Sequence, residues 1–174
     1  MQQLVADPLS KDNIVSLAWF VRVIANYTTE MAFPVIRFAE LALPQIDSEY
    51  NFMVNPTKEM PDKYACYNAF NNTMEVREDV YQMAICGDGR HRFTIAHELG
   101  HYFLHKDGVK LCRIEENAKM VSYIDPEWQA NTFASALLMP PRLIKGLSAF
   151  EISKLCQTSA QAAQIAFNKV KKPS

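Results

Sequence analysis

The sequence lacks an excess of charge of one sign and any long apolar segment. Its 174 residues carry 18 Lys and Arg against 19 Asp and Glu, a formal net charge of −1. This balance argues against a generally basic nucleic-acid surface and favours a protein target. The densest apolar run, residues 14–25, is shorter than the roughly 20 residues that a helix needs to cross a bilayer. We therefore expect no membrane span, and direct nucleic-acid binding is disfavoured.

Closely spaced cysteine pairs, which bind metals or catalyse redox reactions, are also missing. The four cysteines are far apart in the sequence, with no Cys-x-x-Cys, and no secretory signal opens the chain. They are Cys66, Cys86, Cys112 and Cys156. A reduced, cytoplasmic protein is expected.

Glycine is scarce too, with five residues, and no phosphate-binding loop is present. Gly87 and Gly89 occur together in Cys86-Gly-Asp-Gly-Arg90, but no Gly-Lys-Ser/Thr follows them. This segment is predicted to be a turn that leads into the next helix.

The most informative motif present is His-Glu-x-x-His, formed by His97, Glu98 and His101. In a helix, residues four apart lie one turn above another, so both imidazoles can bind one tetrahedral metal ion. Glu98 lies beside them and can accept a proton from water as a general base. The alternative is that both histidines are ordinary residues of an apolar helix. Gly100 costs such a helix about 1 kcal/mol relative to alanine, which indicates close approach by another element or by substrate.

A catalytic zinc ion usually has three protein ligands and a water, so a third ligand is expected elsewhere. The metzincin pattern is absent, since Leu104 and Asp107 stand where it has Gly and His. His105 lies about 12 Å along the helix axis from His97, at 1.5 Å per residue. We interpret His105 as helix-end packing or as a contact to a ligand, with ligation the less favoured alternative.

Glu127 is the better candidate. Asp125 followed by Pro126 is typical of a helix start, which places Glu127 in the first turn and Asn131 one turn later on the same face. Such a pair suits a carboxylate ligand and an amide that orients a ligating histidine. The alternative for Glu127 is that acidic residues favour helix N-termini because of the helix dipole alone.

Two segments together resemble the ImmA/IrrE family of metallopeptidases. They are Arg92-Phe-Thr-Ile-Ala-His-Glu-Leu-Gly-His-Tyr-Phe-Leu-His105 and Glu127-x-x-Ala-Asn-x-Phe-Ala-x-x-Leu-Leu-Met-Pro140, and the similarity is good over about residues 73–141. The resemblance implies a gluzincin-like site with His97, His101 and Glu127 as ligands of Zn²⁺ and Glu98 as general base.

The expected fold is α+β: a mostly helical, zincin-like metallopeptidase domain with a small β-sheet flanking the motif helix. Apolar patterns predict helices over 13–28 and 35–43, the second ending at Pro44. Alternating segments predict strands over 50–54, 63–67 and 73–77. A single domain is the default for this length and a 49% hydrophobic content. Within it we expect N-terminal helices (1–44), the sheet and metal-binding core (45–140) and C-terminal helices (141–174).

The resemblance also implies a function. Members of the family are intracellular, often occur in phages or other mobile elements, and usually act on a helix-turn-helix repressor. We therefore expect a zinc-dependent endopeptidase that cleaves or inactivates such a cytoplasmic repressor. An alternative is a non-cleaving, zinc-stabilised protein that sequesters a repressor, as an antirepressor or a toxin–antitoxin component. A third hypothesis, DNA binding through short C-terminal helices predicted within 151–172, is disfavoured by the near-neutral charge.

Overall fold

The computed structural model describes residues 2–106, 108, 110–113 and 122–171. The fold is α+β and mostly helical, as predicted. Its strands are β1 (Gln2–Val5), β2 (Asn51–Asn55), β3 (Ala65–Asn68), β4 (Thr73–Arg77) and β5 (Lys110–Arg113). Its α-helices are α1 (Lys11–Ile24), α2 (Val35–Arg37), α3 (Leu43–Ile46), α4 (Glu78–Ile85), α5 (Gly89–His105), α6 (Pro126–Leu138), α7 (Pro141–Ile144), α8 (Ala149–Cys156) and α9 (Ala160–Lys171).

Helix α1 packs against α6 and is shorter than its apolar pattern predicted. Ser10 caps it by accepting a 3.1 Å hydrogen bond from the Asn13 N–H. The helix ends at Ile24 rather than at residue 28, because Asn26 adopts a positive φ of 60° that a right-handed helix does not allow. Arg22 is fully buried, and its guanidinium donates to the backbone carbonyls of Tyr27, Glu30 and Leu137. These bonds compensate for the loss of water around the charge.

The sequence had predicted that the second helical segment ends at Pro44, but the segment continues beyond this residue. A π-helical turn, Phe38–Ala42, joins α2 to α3, and the Leu43 N–H donates to the Phe38 carbonyl. Pro44 consequently lies in the first turn of α3. Proline is tolerated in a first turn because its missing N–H has no helical partner there.

The three predicted strands form one mixed sheet in the order β2-β4-β3. Strand β2 runs parallel to β4, and β3 pairs with β4 antiparallel, with Tyr67 opposite Met74. Strand β3 therefore forms an edge of this sheet. A second, antiparallel pair joins β1 to β5, and neither of these strands was predicted from the sequence.

Helices α5 and α6 cross at the centre of the fold, where small residues let them approach closely. A Cβ atom added to Gly100 would lie 2.9 Å from the Ala130 Cα atom, so only glycine fits this crossing without a shift. The start of α5 is similarly close to the α8–α9 turn, since a Cβ on Gly89 would lie 2.4 Å from backbone atoms of Thr158 and Ser159. Both glycines of α5 thus hold the motif helix against its neighbours.

Short helices follow Pro141, as predicted. Helix α8 begins with a capping box between Ser148 and Glu151 and ends at Gln157 in the left-handed conformation. Across the described residues, no helix combines the length and the apolar content that crossing a membrane requires.

Candidate metal centre

Helix α5 presents the motif side chains on the face that meets α6. Asp88 caps the helix by accepting hydrogen bonds from the N–H groups of Arg90 and His91. Ile95, Ala96 and Leu99 are fully buried in the core. This apolar side orients the helix, so that His97, Glu98 and His101 face a partly open cleft.

Helix α6 brings the predicted third residue to the same place. Asp125 accepts a 2.9 Å hydrogen bond from the Glu127 N–H, and Pro126 occupies the first turn, as the sequence predicted. Glu127 keeps 65% of its side chain exposed, so its carboxylate lies at the mouth of the cleft. The close α5–α6 crossing at Gly100 is what allows Glu127 to reach both histidines.

The donor atoms converge at distances that suit one metal ion. The Nε2 atoms of His97 and His101 are 3.0 Å apart. Glu127 places one carboxylate oxygen 3.2 Å from His97 Nε2 and the other 3.4 Å from His101 Nε2. Bonds of about 2.05 Å in a tetrahedron would separate such donors by about 3.3 Å. One ligand atom from each of these three residues lies within 4.8 Å of the others, and the group can hold a metal ion.

Neighbouring side chains contact the Nδ1 atoms of both imidazoles, on the side of each ring opposite the donor Nε2 atom. The Asn131 side-chain oxygen lies 3.1 Å from His97 Nδ1, the pairing expected for an amide that orients a ligand. His105 lies 2.9 Å from His101 through their Nδ1 atoms. His105 is buried and contacts a histidine of the motif, in agreement with the favoured interpretation of its sequence position.

Burial keeps the His101 imidazole in the neutral form that binds metals. Burial, together with the neighbouring His97 and His105, lowers the pKa of His101 to about 3. Burial also lowers the pKa of His105. A neutral imidazole has the lone pair that ligation requires.

Glu98 joins the donor group to strand β3. Its Oε2 atom accepts a 2.7 Å hydrogen bond from the Tyr67 N–H. Burial raises the pKa of the Glu98 carboxyl, and the nearby Glu127 charge raises it further, whereas the Tyr67 N–H and His97 lower it. A buried carboxyl with a raised pKa is typical of a group that exchanges protons in a reaction.

Four polar side chains near the motif in the sequence or along the chain after it, those of His91, Arg92, Tyr102 and Tyr123, are candidates for an oxyanion donor, and three of them are engaged elsewhere. Arg92 is buried and donates to the Gln157 and Phe33 carbonyls. The Tyr102 hydroxyl donates to Asp47, and the His91 ring pairs with Asp88. Tyr123, the fourth, is 48% exposed. The hydrogen bond from the Tyr67 N–H to Glu98 was not predicted, because a main-chain donor leaves no signature in the sequence.

The described cysteines lie outside the metal group. Cys66, Cys86 and Cys156 are free thiols, and neither these nor any other described His, Asp or Glu joins the group of His97, His101 and Glu127. The side chain of Cys112 lies outside the described residues.

Comparison with known proteins bears on the same part of the chain. Residues 87–152 match the family model described as the IrrE N-terminal-like domain, peptidase M78. The matched segment contains α5 and α6 and therefore Glu98 and the whole donor group. None of the curated proteins compared with the chain matches it. The family match confirms the resemblance to the ImmA/IrrE family and supports a metallopeptidase.

Proposed function

We propose, from the peptidase-family match over residues 87–152, that this protein is a zinc-dependent endopeptidase. In this proposal His97, His101 and Glu127 bind the ion and Glu98 is the general base. The observation that carries it is the convergence of two imidazole nitrogens and a carboxylate at separations of 3.0–3.4 Å. Such spacing suits a metal ion held by two imidazole nitrogens and a carboxylate.

The donor set suits zinc among the divalent cations. Two neutral imidazoles and one carboxylate are the ligands found in several zinc peptidases, whereas Mg²⁺ and Ca²⁺ prefer oxygen ligands alone. When bound, zinc would polarise the scissile carbonyl and lower the pKa of water at the fourth position. The 65% exposure of Glu127 leaves the mouth of the site open to substrate.

Glu98 is placed to transfer the proton. As a carboxylate it accepts the proton of the attacking water, and as a carboxylic acid it returns the proton to the leaving amine. The raised pKa brings these two states closer in energy near neutral pH. The Tyr67 N–H holds the carboxyl in place between the metal group and strand β3.

Strand β3 is the edge strand that we assign to the substrate backbone. It lies next to α5, and Ala65 turns its backbone groups away from β4, in the same alternation that directs the Tyr67 N–H to Glu98. An extended peptide can pair with such an edge through main-chain hydrogen bonds. Its scissile bond would then lie between Glu98 and the metal group.

An apolar cavity of about 220 Å³ adjoins the metal group. It shares Asn131 with the centre and is lined by Phe93 and Ser135, each one turn from a site residue, and by Ile165 of α9. Since this volume is below the 300–1,000 Å³ of typical pockets for whole ligands, it suits a single side chain. We assign it to a large apolar residue of the substrate beside the scissile bond.

The proposed target is a helix-turn-helix transcriptional repressor in the cytoplasm, which is the partner that the family resemblance implies. The test compares wild-type protein with Glu98→Gln, each purified with zinc and incubated with a helix-turn-helix repressor from the same genome. Intact mass of the products is the measurement. Zinc content is measured on the same samples.

We expect one zinc-dependent cut by the wild type and none by Glu98→Gln, with equal zinc content in both. Glu49→Gln is the matched control, since Glu49 is exposed and its side chain is outside the cleft. Cutting by Glu98→Gln would disprove the role of Glu98. Repressor binding without any cut by the wild type would support the sequestering alternative instead.

A further inference from the structure

Gln129 of α6 is fully buried behind the metal group, and its amide has a fixed orientation. Its Nε2 atom lies 2.8 Å from the Asp7 carbonyl and 2.8 Å from the Tyr123 carbonyl. A reversed amide would put its oxygen against two carbonyl oxygens and leave its NH₂ group facing His105. The amide nitrogen must therefore donate to both carbonyls, and the Oε1 atom must face His105 as an acceptor.

This orientation determines which nitrogen of His105 carries the proton. Gln129 Oε1 lies 2.9 Å from His105 Nε2, so the His105 Nε2 must be the N–H donor. A neutral imidazole has one N–H and one bare nitrogen. His105 Nδ1 is then the bare nitrogen and can only accept.

The proton position on His105 also determines the one on His101. His105 Nδ1 is 2.9 Å from His101 Nδ1, and a hydrogen bond between them needs one proton. Since His105 Nδ1 is bare, the proton belongs to His101 Nδ1. The His101 Nε2, which faces His97 Nε2 and Glu127, is left with its lone pair toward the metal position.

We propose that Gln129 and His105 form a positioning relay that holds His101 in its metal-binding tautomer. The relay is the hydrogen-bonded series from the Asp7 and Tyr123 carbonyls through Gln129 and His105 to His101. The proposal rests on the proposed metal centre and adds two residues that touch neither the ion nor the substrate. His97 is held differently, by the exposed amide of Asn131.

The relay makes the contact between His105 and a ligand, which the sequence position suggested, depend on the two ring nitrogens of His105. Its Nδ1 and Nε2 atoms bridge a ligand and a buried amide, so its polarity matters as well as its volume. A leucine or phenylalanine there would fill space and leave the His101 Nδ1–H and the Gln129 Oε1 without partners. His101 would then be free to rotate or to move its proton to Nε2, which blocks ligation.

A conservative replacement can preserve the relay. In His105→Gln, a side-chain amide oxygen can accept from His101 Nδ1 while the amide nitrogen donates to Gln129 Oε1. His105→Phe keeps an aromatic ring of similar size but provides neither group. The two variants therefore separate polarity from packing at one buried position.

The first measurement is zinc affinity, by competition with a chromophoric chelator, on full-length protein. We expect His105→Phe to bind zinc roughly 10–100-fold more weakly than wild type. This is the loss typical when a ligating histidine loses the hydrogen-bond partner of its other ring nitrogen. His105→Gln should stay within about threefold of wild type. Equal affinity for wild type and a folded His105→Phe would overturn the relay.

The second measurement does not depend on any variant folding or on zinc binding. Long-range ¹H–¹⁵N correlation spectra of the imidazole rings identify each tautomer in the wild-type protein, with and without zinc. We expect the Nδ1–H form for His101 and the Nε2–H form for His105 in both samples. An Nε2–H form of His101 would overturn the relay even if zinc binds. If the wild type binds no zinc, the proposed metal centre fails, and the tautomers still decide the relay.

Discussion

The backbone N–H of Tyr67 donates a 2.7 Å hydrogen bond to the Glu98 carboxylate. This bond joins the edge strand β3 to the motif helix α5. It connects the strand assigned to substrate binding with the group assigned to proton transfer. A disturbance of β3 should therefore change the chemistry of Glu98 as well as substrate affinity.

Tyr67→Pro should move the acid limb of the pH profile for peptide cleavage to higher pH. Glu98 must be deprotonated to act as a base, so cleavage falls as the pH drops through its pKa. Burial raises that pKa and the Tyr67 N–H lowers it, so loss of the N–H raises the pKa further. Proline is tolerable because this N–H points away from β4. The measurement is kcat/KM between about pH 4 and 8.

Tyr67→Ala is the control, since it loses the ring contact with Tyr102 and the hydroxyl bond to Asn72 but keeps the N–H. Its acid limb should remain at the wild-type position. If the acid limb shifted equally in both variants, the effect would come from the Tyr67 side chain and not from its N–H.

Gly100→Ala should destabilise the protein and weaken zinc binding. Alanine gains about 1 kcal/mol in helix propensity. The added Cβ, however, would lie 2.9 Å from the Ala130 Cα, and overpacking of this kind costs about 1–3 kcal/mol. The Ala130 backbone cannot move away as the end of a flexible side chain could. We therefore expect a net loss of about 1 kcal/mol in the free energy of unfolding. Urea unfolding of the zinc-free protein measures it.

The same variant should also separate Glu127 from the histidine pair, because the clash pushes α6 away from α5. Zinc affinity is the readout. Unchanged stability and unchanged affinity would show that the crossing has room to adjust.

Asp47→Ala should lower stability at neutral pH and much less in acid. The Asp47 carboxylate accepts from Lys106, Asn72 and the Tyr102 hydroxyl, and these bonds hold its pKa well below the usual range. A carboxyl with a lowered folded pKa contributes stability above its unfolded pKa, about 3.9, and this contribution is lost as the pH falls toward the folded pKa. We expect a loss of about 2 kcal/mol at pH 7.

The measurement is the free energy of unfolding of wild type and variant at pH 7 and pH 3. Asp62→Ala removes an exposed carboxylate and should have little effect at either pH. A loss for Asp47→Ala that is the same at both pH values would show that packing, rather than charge, dominates.

Ile165→Glu should impair cleavage of substrates that place an apolar residue in the 220 Å³ cavity. Ile165 lines this cavity and is 47% exposed, so the substitution adds charge at little cost to folding. We expect kcat/KM to fall about 10–100-fold, with zinc affinity unchanged. Gln164→Glu is the matched control, because it adds the same charge next to Ile165 on α9 without lining the cavity. Equal effects of the two variants would contradict the assignment of the cavity.

Several elements could be predicted because their signals are local. Asp125-Pro126 marked the start of α6, and the His-Glu-x-x-His spacing marked the face of α5. The alternation in residues 73–77 predicted β4 with its observed bounds. Helix caps and side-chain periodicity depend on residues that are close together in the chain, so they can be predicted without a structure.

The missed features depend on contacts between distant residues. Strands β1 and β5 pair residues more than a hundred positions apart, and the π-helical turn before Pro44 follows from how that segment packs. The role of Gln129 likewise needs the Asp7 carbonyl, which lies 122 residues away.

The sequence by itself determined the residue types of the metal group, their helices and the family resemblance, because metal-ligand chemistry requires given side chains at given helical spacings. Only the tertiary structure decided that Glu127 meets the two histidines, that β3 borders Glu98 and that buried Gln129 sets the proton positions behind His101. Those relations depend on how closely α5 and α6 cross at Gly100 and Ala130. No spacing along the chain specifies a distance between two helices, since that distance is set by packing.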